Sequence, residues 1–167
     1  MKTVVCAALA GLAFCGGAWA QADTADKRVS LPAEAGLVVG HQEQAGRSVL
    51  VELIPAGETV QTFSRMVTLQ TAPDMGDVPP GDFLAAFRER YAASCPNSNV
   101  TPVPMGAASG LRIDCPRHPA TDRMETVFVR VLDLGRDLGV VQITMRNFVA
   151  PADGQWARGY LGRVTVE

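Results

Sequence analysis

The chain is predicted to fold as an α+β protein, with a single antiparallel sheet of about five to seven strands and two helices packed on it. Several stretches alternate apolar and polar residues with the period of a strand. Short turn sequences, Ala45-Gly46-Arg47 and Gly135-Arg136-Asp137, separate two pairs of these stretches as in hairpins. Two other stretches carry apolar residues at helical spacing and interrupt the series of strands.

The strands follow from β-rich runs bounded by turn residues. They are predicted, in order, at Leu37–Gln44, Ser48–Ile54, Arg65–Gln70, Leu111–Cys115, Thr126–Leu132 and Gly139–Phe148. Ser48–Ile54 is apolar on both faces, which predicts a strand covered on both sides. The valines of Thr126–Leu132 form one apolar row, and Val141, Ile143 and Met145 are expected to form the matching row of the next strand.

The two helices are predicted at about residues 82–94 and 153–164. The first carries an aromatic stripe at helical spacing, and Asp82 is expected to act as its N-cap. The second carries Trp156 and Tyr160 on one face. Both apolar stripes are expected to pack on the sheet. The helix at residues 82–94 is the central one of the two.

Met1–Ala20 has the pattern of a cleaved signal peptide. Lys2 supplies the positive charge, and the apolar run Val4–Cys15 is shorter than the roughly 20 residues of a transmembrane helix. Ala18-Trp19-Ala20 has the small-x-small pattern of a cleavage site, so the mature chain is expected to begin at Gln21. Such a protein works outside the cytoplasm, in the periplasm or as a secreted protein.

The 147 residues after Ala20 have the size of one ordinary domain. Residues 21–30 are predicted to form a flexible leader and residues 31–167 a single globular domain. The mature chain has 14 Lys and Arg against 17 Asp and Glu. This mild acidity argues against a nucleic-acid partner and a polybasic membrane patch, so a soluble protein without a membrane span is expected. Lipoprotein processing before Cys15 is the alternative, which Phe14 disfavours.

Cys95 and Cys115 are the only cysteines after the cleavage site, and they are predicted to form a structural disulfide. This bond would join the end of the first helix to a strand. Closing the loop between these two cysteines would stabilise the fold by about 3 kcal/mol in the chain-entropy model. The alternative is a thiol or metal site formed by Cys115 and His118, but two ligands are too few for a metal site.

No catalytic or cofactor motif is present, and no cofactor or metal is expected. His41 and His118 are the only histidines, and no G-x-S-x-G elbow occurs. Glu52 and Arg130 each interrupt an apolar strand, which predicts a cross-strand ion pair if those strands are neighbours. The alternatives for Glu52 are a position facing solvent and a catalytic carboxylate with a raised pKa.

The binding candidates are weak ones. Arg112, Arg117, His118 and Arg123 concentrate positive charge around the predicted disulfide, where an anionic glycan or lipid head group would bind. The alternative is an ordinary solvated face. Trp156 is expected to face the core, or else to line a ligand groove between its helix and the sheet.

Two segments carry a resemblance to a known family. Pro55-Ala56-Gly57-Glu58-Thr59-Val60, followed by Ser64-Arg65-Met66-Val67-Thr68-Leu69-Gln70, resembles a stretch in small secreted proteins of Gram-negative bacteria that have no assigned activity. The order of elements is similar to the Mog1/PsbP-like fold, an antiparallel sheet between helices. The resemblance implies a fold and a compartment, and no reaction.

Three functions are consistent with these features. The leading hypothesis is a non-catalytic protein of the periplasm that binds another envelope component, as an accessory, inhibitor or immunity-type factor. The second is a carrier of a small molecule or lipid, held in a cavity between the sheet and the C-terminal helix. The third is a small hydrolase, which would need Glu52, His41 or His118 to converge with another polar group in one cleft.

Overall fold

The computed structural model describes residues 27–146 and 149–167, which form a seven-stranded antiparallel sheet with a helix on each face. The elements are β1 (Val29–Ser30), β2 (Leu37–Ala45), β3 (Ser48–Pro55), β4 (Arg65–Ala72), α1 (Pro80–Ser94), β5 (Asn99–Met105), β6 (Ala108–His118), β7 (Arg123–Asp133), β8 (Leu138–Arg146), α2 (Pro151–Gly162) and β9 (Thr165–Val166). The strand order of the large sheet is β2-β3-β4-β8-β7-β6-β5, and β1 pairs with β9.

The predicted α+β class is confirmed, and each predicted strand is present, although the last two residues of Gly139–Phe148 lie outside the described residues. The structure adds β5, for which the sequence gives a weak signal because it contains Pro102 and Pro104. Proline donates no backbone hydrogen bond and is confined to the edges of sheets, and β5 is an edge strand. The two hairpin turns also form as expected, since β2 pairs with β3 and β7 pairs with β8.

Both helices begin two residues before their predicted starts. Asp82 was expected to be the N-cap of α1, but Pro79 occupies that position and Pro80 begins the helix. Proline is favoured at the first helical position because its φ suits the helix and its missing N–H has no partner there. Asp82 lies in the first turn instead, where its charge complements the helix dipole.

A separate apolar core lies on each face of the sheet. Toward α2 the core includes Phe128, Val141, Ile143, Tyr160 and Leu161, all fully buried. Toward α1 it is formed by Val129, Val131, Leu138 and Val140, against which the half-buried Phe83, Leu84 and Phe87 pack. The central strands β7 and β8 are therefore covered on both sides.

The expected match between the valine row of β7 and the row Val141, Ile143 and Met145 is wrong. In the observed register Phe128 lies opposite Ile143, whereas Val129 lies opposite Gln142. Because side chains alternate along a strand, Ile143 shares the α2 face with Phe128. The register is determined by the geometry of the turn between the strands, which the apolar pattern alone does not specify.

The two ends of the described domain lie side by side. Val29–Ser30 pairs with Thr165–Val166, and Arg28 and Glu167 exchange backbone hydrogen bonds of 2.8 and 2.9 Å. The sequence predicts that the flexible leader extends to residue 30 and that the last element is a helix. The structure differs at both points, because two-residue strands are too short to give a periodic signal.

Arg130 does not pair with Glu52, because β4 and β8 lie between their strands. Its guanidinium lies on the α2 face, where Nη1 donates hydrogen bonds to the carbonyl oxygens of Leu161 (2.6 Å) and Val164 (3.0 Å). The last carbonyls of a helix lack partners within the helix, and a cation there also complements the dipole. Arg130 thus fixes the C-terminal end of α2 to the sheet, although burial lowers its pKa.

Replacing Arg130 with methionine is expected to lower the free energy of unfolding by about 2–4 kcal/mol, because two charge-assisted hydrogen bonds are lost. Urea unfolding measured by circular dichroism tests this. The control is Arg88→Met at an exposed position of α1, which should change the stability by less than about 0.5 kcal/mol. Equal effects of the two substitutions would contradict the role assigned to Arg130.

The disulfide between Cys95 and Cys115 is present, as predicted. Both cysteines are fully buried. Cys95 follows the last turn of α1, and Cys115 lies in β6, so the bond holds the end of this helix against the sheet. Its sequence separation of 20 residues closes a loop that is otherwise free in the unfolded chain.

The double substitution Cys95→Ala with Cys115→Ala is expected to lower the free energy of unfolding by about 3 kcal/mol. Chemical denaturation of the oxidised protein and of the variant measures the difference. Dithiothreitol should bring the wild type to the stability of the variant and leave the variant unchanged. A variant as stable as the oxidised wild type would show that the bond has no stabilising role.

Candidate functional site

The outer edge of β2 is the most open part of the large sheet. β2 is the first strand in the sheet order, and no strand among residues 27–146 and 149–167 pairs with its outer edge. Two large apolar side chains are exposed there, Val38 at 46% and Val39 at 58%. Val38 lies opposite Ile54 and Val39 opposite Leu53, so the two valines point to opposite faces.

A β-bulge lies immediately after these valines, where the register shifts between Val39 and His41. Gly40 lies at this point, and a Cβ there would lie 2.6 Å from Cδ1 of Ile54, so a larger residue would force the Ile54 side chain to move. β2 therefore runs very close to the buried side chain of Ile54. The bulge changes the register of β2 against β3 just after the two valines.

The two edges of the sheet differ in their content of proline. β5 carries Pro102 and Pro104, which remove two N–H groups that another strand would need. β2 contains no proline between Leu37 and Ala45. Of the two edges of this sheet, β2 is thus the one able to accept a further strand.

A cavity of about 530 Å³ opens beside the β2–β3 hairpin, on the face of the sheet that carries α2. Its apolar wall consists of Val49 and Val51 of β3 and Leu69 of β4, together with Val29 of β1 and Leu134 of the β7–β8 turn. The opening is polar and is lined by Lys27, Arg28, Gln44, Arg47 and Asp137.

An ionic network holds the elements around this cavity together. Arg47 in the β2–β3 turn binds Asp137 (Nε to Oδ2, 3.1 Å) and Asp74 (Nη2 to Oδ1, 2.6 Å). Arg136 also binds Asp74 at 3.1 Å, and the N–H of Asp74 donates to Asp137 at 2.9 Å. The hydrogen bond to Asp137 raises the pKa of Arg47. The network links the β2–β3 turn, the β4–α1 loop and the β7–β8 turn.

Asp74 makes this network sensitive to acid. The hydrogen bond from Arg136, and then the charge of Arg47, hold the pKa of Asp74 below its usual value of 3.8, against an opposing effect of burial. A carboxylate whose pKa is lower in the folded state stabilises the fold above the unfolded pKa. That stabilisation is lost as the pH falls through the folded-state value.

The wild type is therefore expected to be more stable than Asp74→Asn at pH 6, and the difference should shrink as the pH falls below about 4. Asparagine is a suitable replacement, because position 74 has a φ of 59°, which asparagine tolerates. Denaturant unfolding of both proteins between pH 2 and pH 7 measures the difference. A gap that stays constant over this range would contradict the ionic origin.

The positive residues around the disulfide are only partly brought together. Arg117, His118 and Arg123 lie at the β6–β7 turn, where Arg117 forms an ion pair with Asp122. His118 packs its ring against Tyr91 with centroids 6.2 Å apart. Its Nδ1 accepts a hydrogen bond from a backbone N–H, so this side chain is occupied by local contacts.

Arg112 is separate from that group. Its Nε and Nη2 bind the carboxylate of Asp114 at 2.8–3.0 Å, and its guanidinium lies 5.5 Å from the ring centroid of Phe128. Phe128 belongs to the core beneath α2, so Arg112 lies on that face. The charge of Arg112 is thus neutralised within the fold.

Trp156 is half-buried and packs against the core beneath α2. Its indole N–H donates to Glu34 at 3.1 Å, and the guanidinium of Arg65 lies 4.5 Å from the ring centroid. The ring also contacts Tyr160, with centroids 5.5 Å apart. The side chain therefore joins α2 to the segment before β2, and it does not line the cavity beside the β2–β3 hairpin.

The structure brings two of the three hydrolase candidates, Glu52 and His41, onto neighbouring strands and leaves His118 apart. His41 lies directly opposite Glu52 on neighbouring strands, near the open edge. His118 lies on β6, and the four strands between β2 and β6 separate the two histidines by roughly 24 Å at the usual strand spacing. Within the described parts of the chain, no group of three or more His, Cys, Asp or Glu side chains is arranged to hold a metal ion.

The exposed edge of β2 and the cavity beside the β2–β3 hairpin were not predicted from the sequence. The valines of β2 read as ordinary strand residues, since the sequence does not specify which strand lies at an edge. The one available signal was indirect: the two prolines of β5 mark the other edge. The cavity depends on contacts between four elements distant in sequence, which no local pattern encodes.

The comparisons with known proteins give a fold and no activity. A solved structure of a mutant of the protein Mog1 matches with a TM-score of 0.51, at 6% identity, over 81% of this chain and 81% of that chain. The Mog1-like fold expected from the order of elements is confirmed. No family model matches the chain, and no curated protein matches it. Among the described helices, neither has the length and apolar character needed to cross a membrane.

Proposed function

We propose that this is an exported, non-catalytic protein that binds another protein of the bacterial envelope by accepting an extended segment of it along β2. The observation that carries the proposal is the unpaired, proline-free edge of β2, with Val38 and Val39 exposed on its two faces. The opposite edge is blocked by Pro102 and Pro104. Proline at one edge and none at the other favours β2 as the edge that takes a further strand.

Both the backbone and the side chains of this edge are suited to the addition of a strand. Backbone N–H and C=O groups on the outer side of β2 would bond to the partner and supply affinity. The two valines would contact apolar residues on opposite faces of the added strand, which supplies specificity. Burying one such side chain is worth about 1.5–3 kcal/mol. The partner is accordingly a protein with an extended segment that is apolar at positions on both faces.

The proposed compartment rests on two features. Met1–Ala20, which lies outside the described residues, has the three parts of a signal peptide. The buried disulfide between Cys95 and Cys115 suits an oxidising compartment such as the periplasm. We propose export on both grounds, with a mature chain that begins at Gln21.

Export is tested by intact-mass measurement of the protein recovered from the periplasm of a Gram-negative host. The expected mass is that of Gln21–Glu167, with two hydrogens fewer for the disulfide. Ala20→Arg should block cleavage, because the peptidase requires a small residue at that position. A periplasmic protein that retains Met1, or a product confined to the cytoplasm, would contradict the proposal.

Partner binding is tested by crosslinking in cells followed by affinity capture of the tagged mature protein. Val39→Lys is expected to lower the recovery of the partner about tenfold, because a lysine at a sheet edge disfavours strand addition and one apolar contact is lost. Met124→Lys is the matched control, since Met124 is also an exposed apolar residue, at 42%.

Val39→Lys and Met124→Lys should differ in the amount of partner that they capture and should have the same thermal stability. Equal recovery of a stoichiometric partner by Val39→Lys and wild type would place the binding surface elsewhere. Turnover of an envelope substrate by the purified protein would contradict the non-catalytic part of the proposal.

A further inference from the structure

The cavity beside the β2–β3 hairpin exposes part of the main apolar core. α2 packs chiefly against β5, β7 and β8, and leaves the hairpin end of β3 and β4 uncovered. Val51 and Leu69 belong to the core beneath α2, yet they also line this cavity. Apolar side chains that continue a core into an opening of about 530 Å³ form a site for an apolar group. Drug-sized ligands occupy pockets of roughly 300–1,000 Å³.

The charges at the opening are unequal. Lys27, Arg28 and Arg47 line it together with a single acid, Asp137. Arg47 is already bound to Asp137 and Asp74. The side chains of Lys27 and Arg28 have no ionic partner among the described residues. Within the described part of the chain, the opening therefore carries two cations in addition to those of the Arg47 network.

We propose that this cavity binds an amphiphile with a single aliphatic chain and an anionic head group. The chain would lie along Val49, Val51 and Leu69, and the head group would meet Lys27 and Arg28. A small inorganic anion would leave the apolar wall unused, and a neutral lipid would leave the two cations unused. This site lies at the hairpin end of the sheet and not between the sheet and Trp156, and it does not depend on the edge of β2.

Calorimetric titration with dodecanoate, below the concentration at which micelles form, is expected to show one saturable site. Octanoate should bind at least about tenfold more weakly, because fewer methylene groups are buried. Dodecanol, which has the same chain without a charge, should also bind at least about tenfold more weakly. Dodecyl phosphate is titrated in a parallel experiment. Tighter binding of either dodecanoate or dodecyl phosphate supports the proposal and identifies the preferred head group.

The site is located with variants and with fluorescence. Lys27→Gln with Arg28→Gln should weaken dodecanoate binding about tenfold. The control, Arg88→Gln with Arg90→Gln, removes the same charge from exposed positions of α1 and should have no effect. Trp156 is the only tryptophan after the cleavage site and does not line the cavity, so its emission should stay unchanged.

Four results would overturn the proposal. They are the absence of saturable binding by both anions, equal binding of dodecanol, no effect of the Lys27 and Arg28 substitutions, and a change of Trp156 emission on binding. The last would place the ligand beside α2. None of these results bears on partner capture through β2, so the two proposals fail separately.

Discussion

The register of β8 between β4 and β7 determines which side of the sheet every other element meets. Val141 lies opposite both Leu69 and Arg130, so all three point to the α2 face. Val140 lies opposite Val131, and both point to α1. A shift of one residue would exchange the two faces and place the guanidinium of Arg130 under α1 instead of at the end of α2. Both helices thus depend on this one alignment.

Each helix is attached to the sheet by a specific bond in addition to apolar packing. The disulfide holds the end of α1, which has no fully buried residue of its own. Arg130 holds the end of α2 through two carbonyl oxygens. The helices leave β2 and the hairpin end of β3 uncovered, and there the Arg47 network holds the turns in place. The two candidate binding surfaces therefore lie on the part of the sheet that the helices do not cover.

The sequence was sufficient for the class and the elements, and insufficient for their arrangement. Alternation and aromatic spacing located β3, β7, β8 and α1 because these signals are local. The proposed pairing of Glu52 with Arg130 failed because strand order is a long-range property. The same limit applies to the contact of Arg112 with Phe128, which depends on the register of β6 and β7, whereas its partner Asp114 lies two residues further along the same strand.

The most direct test of the account is photo-crosslinking in cells, with a photoreactive residue placed in turn at each position of β2 and of β5. Strand addition at β2 predicts adducts with one partner protein at positions along Leu37–Ala45 and none along Asn99–Met105. Adducts along β5, or only around Arg117 and Arg123, would contradict the assignment of β2 as the surface that accepts a partner strand.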